Sequence, residues 1–347
     1  MLFSSLVRPR PRVRPRSFLP NSRTRTITSR MFTAGILLLT LLCSSKTHAQ
    51  TNDQRSMLLV IGAAGEPEYG EQFAASADLW KRAATNGGFK ISVIGESKDD
   101  TNDRSALLGA ITNELKPSTE ELWVVFIGHG TFDGRAAKFN LRGPDISADE
   151  LAAALKPCKH PLALIDCASA SGPFLNALSA PGRVIITATK SGYEANATRF
   201  GNFLARDVAD PAADLDKDGQ TSLLEAYLMA SRQVEDFYKE AGRLATEHAL
   251  LDDNGDGLGT PADWFRGVRA VKKAVDGKSV DGVRAHQMNL VRSANEQELS
   301  PALRARRDEL EAQLSALRDR KSQMKEEDYY NQLEKILVET AKLYEKQ

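Results

Sequence analysis

Two side chains suited to nucleophilic catalysis stand where two apolar runs of this 347-residue sequence end. LWVVFIGHG (Leu122 to Gly130) closes on His129, and HPLALIDCASASG (His160 to Gly172) turns at Cys167. A thiol attacks poorly until it is deprotonated; a nearby imidazole can take its proton and later hand it to a leaving amine. Gly130 has no Cβ, so a substrate carbonyl can approach its N–H, and the Cys167 amide offers a second donor to a developing oxyanion. Apolar runs of this length read as strands, and in α/β sheets ligands gather at the carboxyl ends of strands. The pattern predicts His129, Gly130 and Cys167 together at one sheet rim, equipped for acyl transfer. The plain alternative is a small buried thiol and a histidine that only ends a strand.

A second chemistry is written in DLDKDGQTSLLE (Asp214 to Glu225). Asp214, Asp216 and Asp218 fall at positions 1, 3 and 5 of a twelve-residue calcium loop, and Gly219 at the sharp turn. Gln220 offers its carbonyl, Ser222 an oxygen at position 9, and Glu225 both carboxylate oxygens. Carboxylates this close repel one another unless a divalent cation neutralises them. The expected ion is Ca2+, in a structural role that holds the segment after the fifth strand against the sheet. Asp210-Pro211 breaks the entering helix, so the loop is EF-hand-like rather than a full helix–loop–helix. DDNGDGLGTPAD (Asp252 to Asp263) is a weaker copy. There Asp252, Asn254, Asp256 and Gly257 fit and Asp263 falls at position 12, but Gly259 and Pro261 spoil what should follow. A solvated acidic turn is the alternative for each loop. His248 reads as a structural or surface histidine.

The elements that must position these groups alternate. Strands are expected over Ser56 to Gly65, Phe89 to Ile94, Leu122 to Ile127, Leu162 to Ile165 and Arg183 to Thr187. Helices are expected over Tyr69 to Thr85, Asn102 to Leu115, Ser147 to Leu155 (opened by a capping box), Thr198 to Val208 and Ser222 to Ala241. Such alternation implies an α/β domain, residues 55–270, with a mostly parallel sheet covered by helices on both faces. Residues 296–347 are rich in Glu, Lys, Arg and Leu, and carry no Gly or Pro after Pro301. Leu310, Leu314 and Leu317 share one face, as do Leu333, Leu337 and Tyr344, which predicts a C-terminal α-helical hairpin or coiled-coil tail. Docking on the body and binding a protein partner both stay open.

These residues resemble the clan that holds caspases, legumains, gingipains and the catalytic subunit of glycosylphosphatidylinositol transamidase. The likeness lies in His129-Gly130 closing one apolar strand and Cys167 closing a later one. RVIITATKSGYEANA (Arg183 to Ala197) is also similar to the legumain segment that builds part of the primary specificity pocket. The resemblance covers about residues 56–270. It implies a caspase-like fold and a cysteine endopeptidase acting on peptides or proteins through a thioester on Cys167, with His129 as general acid–base. Transpeptidation, in which an amine replaces water, is a variant. One departure bears on this: the family usually has Ala before the nucleophile, where this chain has Asp166. A carboxylate facing the thiol raises its pKa, although neighbouring strand residues point to opposite faces. A catalytically inactive calcium-binding scaffold or interaction protein of the same fold is the competing expectation.

Residues 1–49 hold eight Arg and one Lys and no acid, which leaves 37 basic against 46 acidic residues in the remainder. An acidic body gives no basis for nucleic acid as a partner. Residues 31–49 have an apolar core from Ala34 to Leu42, too short to span a bilayer comfortably, followed by a polar stretch ending at Ala49. That is the pattern of a signal peptide cleaved near Ala49, leaving an exported chain with no integral membrane span. An organelle transit peptide is the alternative, Met31 is an alternative start, and Leu42 argues against lipidation at Cys43. Cys158 and Cys167 remain, with no CxxC pair to suggest zinc. A bridge between them requires the strand to fold back on itself.

Overall fold

The structure, a computed structural model, describes residues 54–97, 102–116 and 118–344. The expected leader, with Met31, Cys43 and the cut near Ala49, lies outside the described residues. Along the chain, β1 (Ser56–Ile61) leads through α1 (Pro67–Asn86) to β2 (Lys90–Ile94), then α2 (Asp103–Glu114) and β3 (Leu122–Ile127). Three short strands follow, β4 (Gly130–Phe132), β5 (Ala137–Phe139) and β6 (Ile146–Ser147). Then come α3 (Ala148–Leu155), β7 (Leu162–Asp166), α4 (Gly172–Leu178) and β8 (Arg183–Thr187). Next are α5 (Phe200–Asp207), α6 (Leu223–Glu240) and β9 (Leu250–Asp252).

The central sheet has the order β2-β1-β3-β7-β8-β9. Its first five strands run parallel, and only β9 is antiparallel to its neighbour β8. This is the α/β architecture expected, with helices on both faces. Side-chain alternation sorts the strands between two cores. Met57, Leu59, Trp123, Val125, Ile165 and Ile186 pack with α1, α5 and α6. Leu58, Val60, Val124, Phe126, Leu164 and Ile185 pack with α2, α3 and α4. Strands buried on both faces read as continuous apolar runs, which is why β1, β3 and β7 stand out in the sequence.

Local signals account for the element ends. Ser147 and Glu150 form the reciprocal capping box that opens α3, and Ser222 with Glu225 repeats it at α6. The β4-β5-β6 sheet was not foreseen. Its first turn is Asp133-Gly134, where Asp133 Oδ1 accepts the N–H groups of Arg135 and Ala136, each at 2.8 Å, and Gly134 has φ 88°. Such an Asp-Gly pair is itself a hairpin signal. The seven-residue α4 and three-residue β9 were also missed; both are too short to show a period.

After β9 the chain makes a small hairpin, β10 (Phe265–Arg266) and β11 (Arg269–Ala270), then α7 (Val283–Gln287) and α8 (Ala294–Glu298). The C-terminal helical hairpin is present as α9 (Pro301–Asp319) and α10 (Glu326–Tyr344). It docks through α9. Gln287 Nε2 donates to Asp308 O and Glu311 Oε2, both at 3.0 Å, and Arg307 pairs with Glu296. Leu310 and Leu317 are buried as the spacing suggested, but α10 turns differently. Its inward seam is Tyr329, Leu333, Ile336, Thr340 and Leu343, while Leu337 and Tyr344 are exposed. Steps of three and four residues keep a seam on one side, and Leu337 steps off it. Among the described residues no helix is long and apolar enough to cross a membrane.

Candidate active site and cation loops

β3 and β7 are adjacent and parallel, with Phe126 opposite Asp166. The chain beyond each carboxyl end therefore emerges at the same edge. His129 and Cys167 line one cleft of about 180 Å³, together with Tyr69, Phe73, Thr198 and Gly201. The imidazole stands edge-on to the Tyr69 ring (centroids 4.5 Å apart, 88°) and against Phe73 (5.1 Å). Burial lowers its pKa, partly offset by a hydrogen bond with the backbone of Ala64. The two expected partners thus line the same cleft, and Asp166 sits between Ile165 and Cys167 but points to the other core, as strand alternation requires.

The resting state of these groups is not that of an ion pair. Cys167 is 4% exposed. A Cβ built on Gly201 lies 3.0 Å from its sulfur, so the first turn of α5 closes over the thiol and only glycine fits there. Burial pushes the Cys167 pKa up, and the nearby Asp166 and Glu247 carboxylates push it the same way. Glu247 itself accepts the N–H groups of Arg199 (2.8 Å) and Phe200 (3.0 Å), which neutralises the α5 amino terminus where it nears the sulfur. Among the described residues no hydrogen bond joins the His129 ring to Cys167.

The expected oxyanion pair is also not free. Cys167 N–H donates to Phe126 O at 3.0 Å, extending the β3–β7 ladder by one step. Gly130 N–H donates to Ser169 Oγ at 3.2 Å, and that hydroxyl donates back to Gly130 O at 3.0 Å. Ser169 reaches Gly130 because Ala170 adopts φ 55°, a left-handed turn invisible in a Ser- and Ala-rich stretch. A Cβ on Gly130 would stand 2.2 Å from Ser169 O, so the glycine is needed for this packing. Asp166 is fully buried: Oδ1 accepts the Ala168 N–H at 3.0 Å, Oδ2 has no partner among the described residues, and its pKa rises to about 7 through burial.

The segment likened to a specificity loop leaves β8 and returns over the cleft edge. Glu194 O accepts the Ala170 N–H at 2.8 Å, and Tyr193, 79% exposed, stands edge-on to Phe132 at 5.2 Å. His248 pairs with Glu194 through Nδ1 at 2.5 Å. Cys158 and Cys167 are both free thiols.

The acidic loop Asp214 to Glu225 is folded around hydrogen bonds that its carboxylates accept from its own backbone. Asp214 accepts the N–H groups of Lys217 (2.7 Å) and Gly219 (3.1 Å). Asp216 accepts from Asp218 (3.2 Å), and Asp218 accepts from Gln220 (3.0 Å). Glu225 returns across the loop: Oε1 accepts the Leu215 and Asp216 N–H groups, and Oε2 accepts the Ser222 hydroxyl at 2.7 Å. Carboxylate oxygens of Asp214, Asp216 and Asp218 lie within 4.8 Å of one another. His286, not foreseen, bonds Asp216 Oδ2 through Nε2 at 2.9 Å.

The second acidic stretch repeats that scheme bond for bond. Asp252 accepts from Gly255 (3.0 Å) and Gly257 (3.2 Å), Asn254 from Asp256 (2.9 Å), and Asp256 from Leu258 (2.8 Å). Gly255 and Gly257 have φ 72° and 75°, matching Lys217 at 64° and Gly219 at 91°. The place of Glu225, however, is not taken by Asp263, which is exposed in a 3-10 turn after Pro261. Asp281 takes it. Its Oδ1 accepts the Asp253 and Asn254 N–H groups (2.9 and 3.1 Å), and its Oδ2 accepts the Thr260 hydroxyl at 2.6 Å. Asp252, Asp253 and Asp281 are all buried, and no ion pair to Lys or Arg compensates them among the described residues. Burial and these neighbours raise the Asp281 pKa to about 8.

No protein-family model matches this chain, and no curated protein matches it. Among solved structures it is similar to a Geobacter sulfurreducens protein, at 13% identity over 57% of this chain and 92% of that one, TM-score 0.39. It is similar to the Drosophila initiator caspase Dronc, at 14% identity over 58% and 80%, TM-score 0.37. It is also similar to caspase-1 from Spodoptera frugiperda, at 11% identity over 58% and 87%, TM-score 0.39.

Proposed function

We propose that the chain is an exported, calcium-stabilised cysteine endopeptidase of the caspase and legumain kind, latent in the conformation described. The observation that carries this is the convergence of His129 and Cys167 on one cleft from the ends of neighbouring parallel strands. In the reaction His129 takes the Cys167 proton and the thiolate attacks a peptide carbonyl. The amine leaves with a proton from His129, and water then cleaves the thioester. At rest that first proton transfer is uphill, because burial raises the thiol pKa and lowers that of the imidazole. Activation requires α5 to lift from the sulfur and Ser169 to release the Gly130 amide.

Calcium fits the donor set of loop 214–225: hard oxygen ligands from Asp214, Asp216, Asp218, Gln220, Ser222 and Glu225 at EF-hand spacing. The second loop offers Asp252, Asn254, Asp256 and Asp281 on the same backbone. Bound there, the ion neutralises buried like charges and fixes β9 and α6 to the sheet. Export suits this, since millimolar calcium lies outside the cell.

A non-catalytic scaffold using its C-terminal helices is the second reading, favoured by the sealed thiol and the engaged amides. Peptide-library hydrolysis in calcium separates the two. Hydrolysis lost in both Cys167→Ala and His129→Ala supports the enzyme. No hydrolysis under any condition, with a thiol-directed probe labelling Cys158 but never Cys167, sinks it.

A further inference from the structure

A second cavity, about 580 Å³, lies at the amino ends of β1, β2 and β3, across the sheet from the His–Cys cleft. Gln54 and Arg55 precede β1, Gly87 and Gly88 precede β2, and Glu120 precedes β3. Arg292 and Arg304 close it from the C-terminal segment.

Three guanidinium groups meet here, and each is fastened by the protein. Arg55 donates to Asn289 O (2.7 Å) and Leu290 O (3.3 Å). Arg304 Nη1 donates to Leu299 O (2.6 Å) and Glu296 O (3.2 Å), and Arg292 Nη2 to Glu121 Oε1 (2.8 Å). A guanidinium carries five N–H donors in a rigid fork. Among the described residues, Nε and Nη2 of Arg304 and Nε and Nη1 of Arg292 have no protein acceptor. The cavity wall itself carries three guanidinium groups and one carboxylate, Glu120, while Glu121, Glu296 and Asp308 stand behind the arginines with Arg307 beside them. Burial lowers the pKa of Arg304 and Arg292 adds to that, while at Arg55 burial lowers the pKa and the Glu121 carboxylate offsets it by more than Arg292 adds. The rest of the wall is amide and backbone, with no aromatic ring to stack a base.

We infer that this cavity binds a small polyvalent oxyanion, a phosphate or a dicarboxylate, between the free guanidinium edges of Arg292 and Arg304. Fastened arginines pay little ordering entropy on binding, and paired forks match planar or tetrahedral oxyanions. The site is independent of the peptidase reading, since it shares no residue with the cleft.

Calorimetric titration of the full chain with inorganic phosphate, and separately with succinate, at constant ionic strength set by chloride, tests it. Saturable binding is expected for at least one; the tighter of the two identifies phosphoryl or carboxylate as the ligand chemistry. Arg304→Gln should weaken binding about ten-fold, the scale of a lost charged hydrogen bond. Glu120→Gln, which removes a repelling carboxylate with no side-chain hydrogen bond among the described residues, should tighten it a few-fold. The gain in Glu120→Gln keeps the test open if Arg304→Gln fails to fold. No saturable binding of either anion, or Glu120→Gln affinity equal to that of the parent, overturns the assignment.

Discussion

The two acidic loops share one hydrogen-bond scheme and differ in where the closing acid comes from. In the first, Glu225 lies within the loop's own twelve residues and opens the next helix. In the second, Pro261 and the 3-10 turn prevent a helix from following, and Asp281 arrives through the fold after the β10–β11 hairpin. The fold of such an acidic loop is therefore defined by which backbone N–H groups its last carboxylate reaches, not by that carboxylate's position in sequence.

Removing the proposed calcium is the largest way to break this parallel. A site saturated at a hundred times its Kd contributes about 2.7 kcal/mol. Two such sites should make a chelator lower Tm by roughly ten degrees. Calorimetry showing an unchanged midpoint would end the structural-ion reading for both loops. Next in size, Asp281→Asn and Glu225→Gln should each abolish one of two bound equivalents in a calcium titration and cost about 2.7 kcal/mol of calcium-dependent stability. Asp263→Asn should leave both equivalents intact; if it abolishes one, the sequence spacing was right and the parallel fails.

Asp166 sharpens the contrast, being a buried acid outside either loop. Its folded pKa of about 7 exceeds the unfolded value, so the folded state holds the extra proton. Its contribution is fully present below the unfolded pKa and is lost as pH rises through the folded one. Asp166→Asn should therefore gain on the parent by about 2 kcal/mol between pH 5 and pH 8, equally with and without calcium. Thermal melts that show this gain vanishing in calcium would put Asp166 within the influence of the loops. The smallest effect concerns Lys217, which holds φ 64° where the second loop has Gly255. Lys217→Gly should stabilise the calcium form by up to about 1 kcal/mol, read as a small rise in Tm; a fall would mean that its side-chain bond to Asp214 O outweighs the strain.

The parts legible in the sequence are those fixed by nearby residues. β3 and β8 begin and end as read, β3 because a buried parallel strand is an unbroken apolar run and β8 because polar Arg183 and Thr187 bracket its apolar centre. α3 follows from Ser147 and Glu150, two residues three positions apart that cap each other. His129 and Cys167 share a cleft because strand ends and parallel pairing follow from the same pattern. What stayed hidden depends on distant partners. Ser169 takes the Gly130 amide only through the Ala170 turn, Glu247 reaches the α5 terminus from beyond α6, and Asp281 crosses to Asp252. No local period or spacing records such meetings.

The reach of Asp281 has one more consequence. The proposed ion, held by Asp252 and Asp281, would close the chain between them, as a crosslink does, where the described cysteines Cys158 and Cys167 are unpaired. Val271 and Val275 in that span lie open to solvent. With the proposed metal bound, a chain nicked there is expected to hold its C-terminal segment more tightly than the same chain with the metal withdrawn.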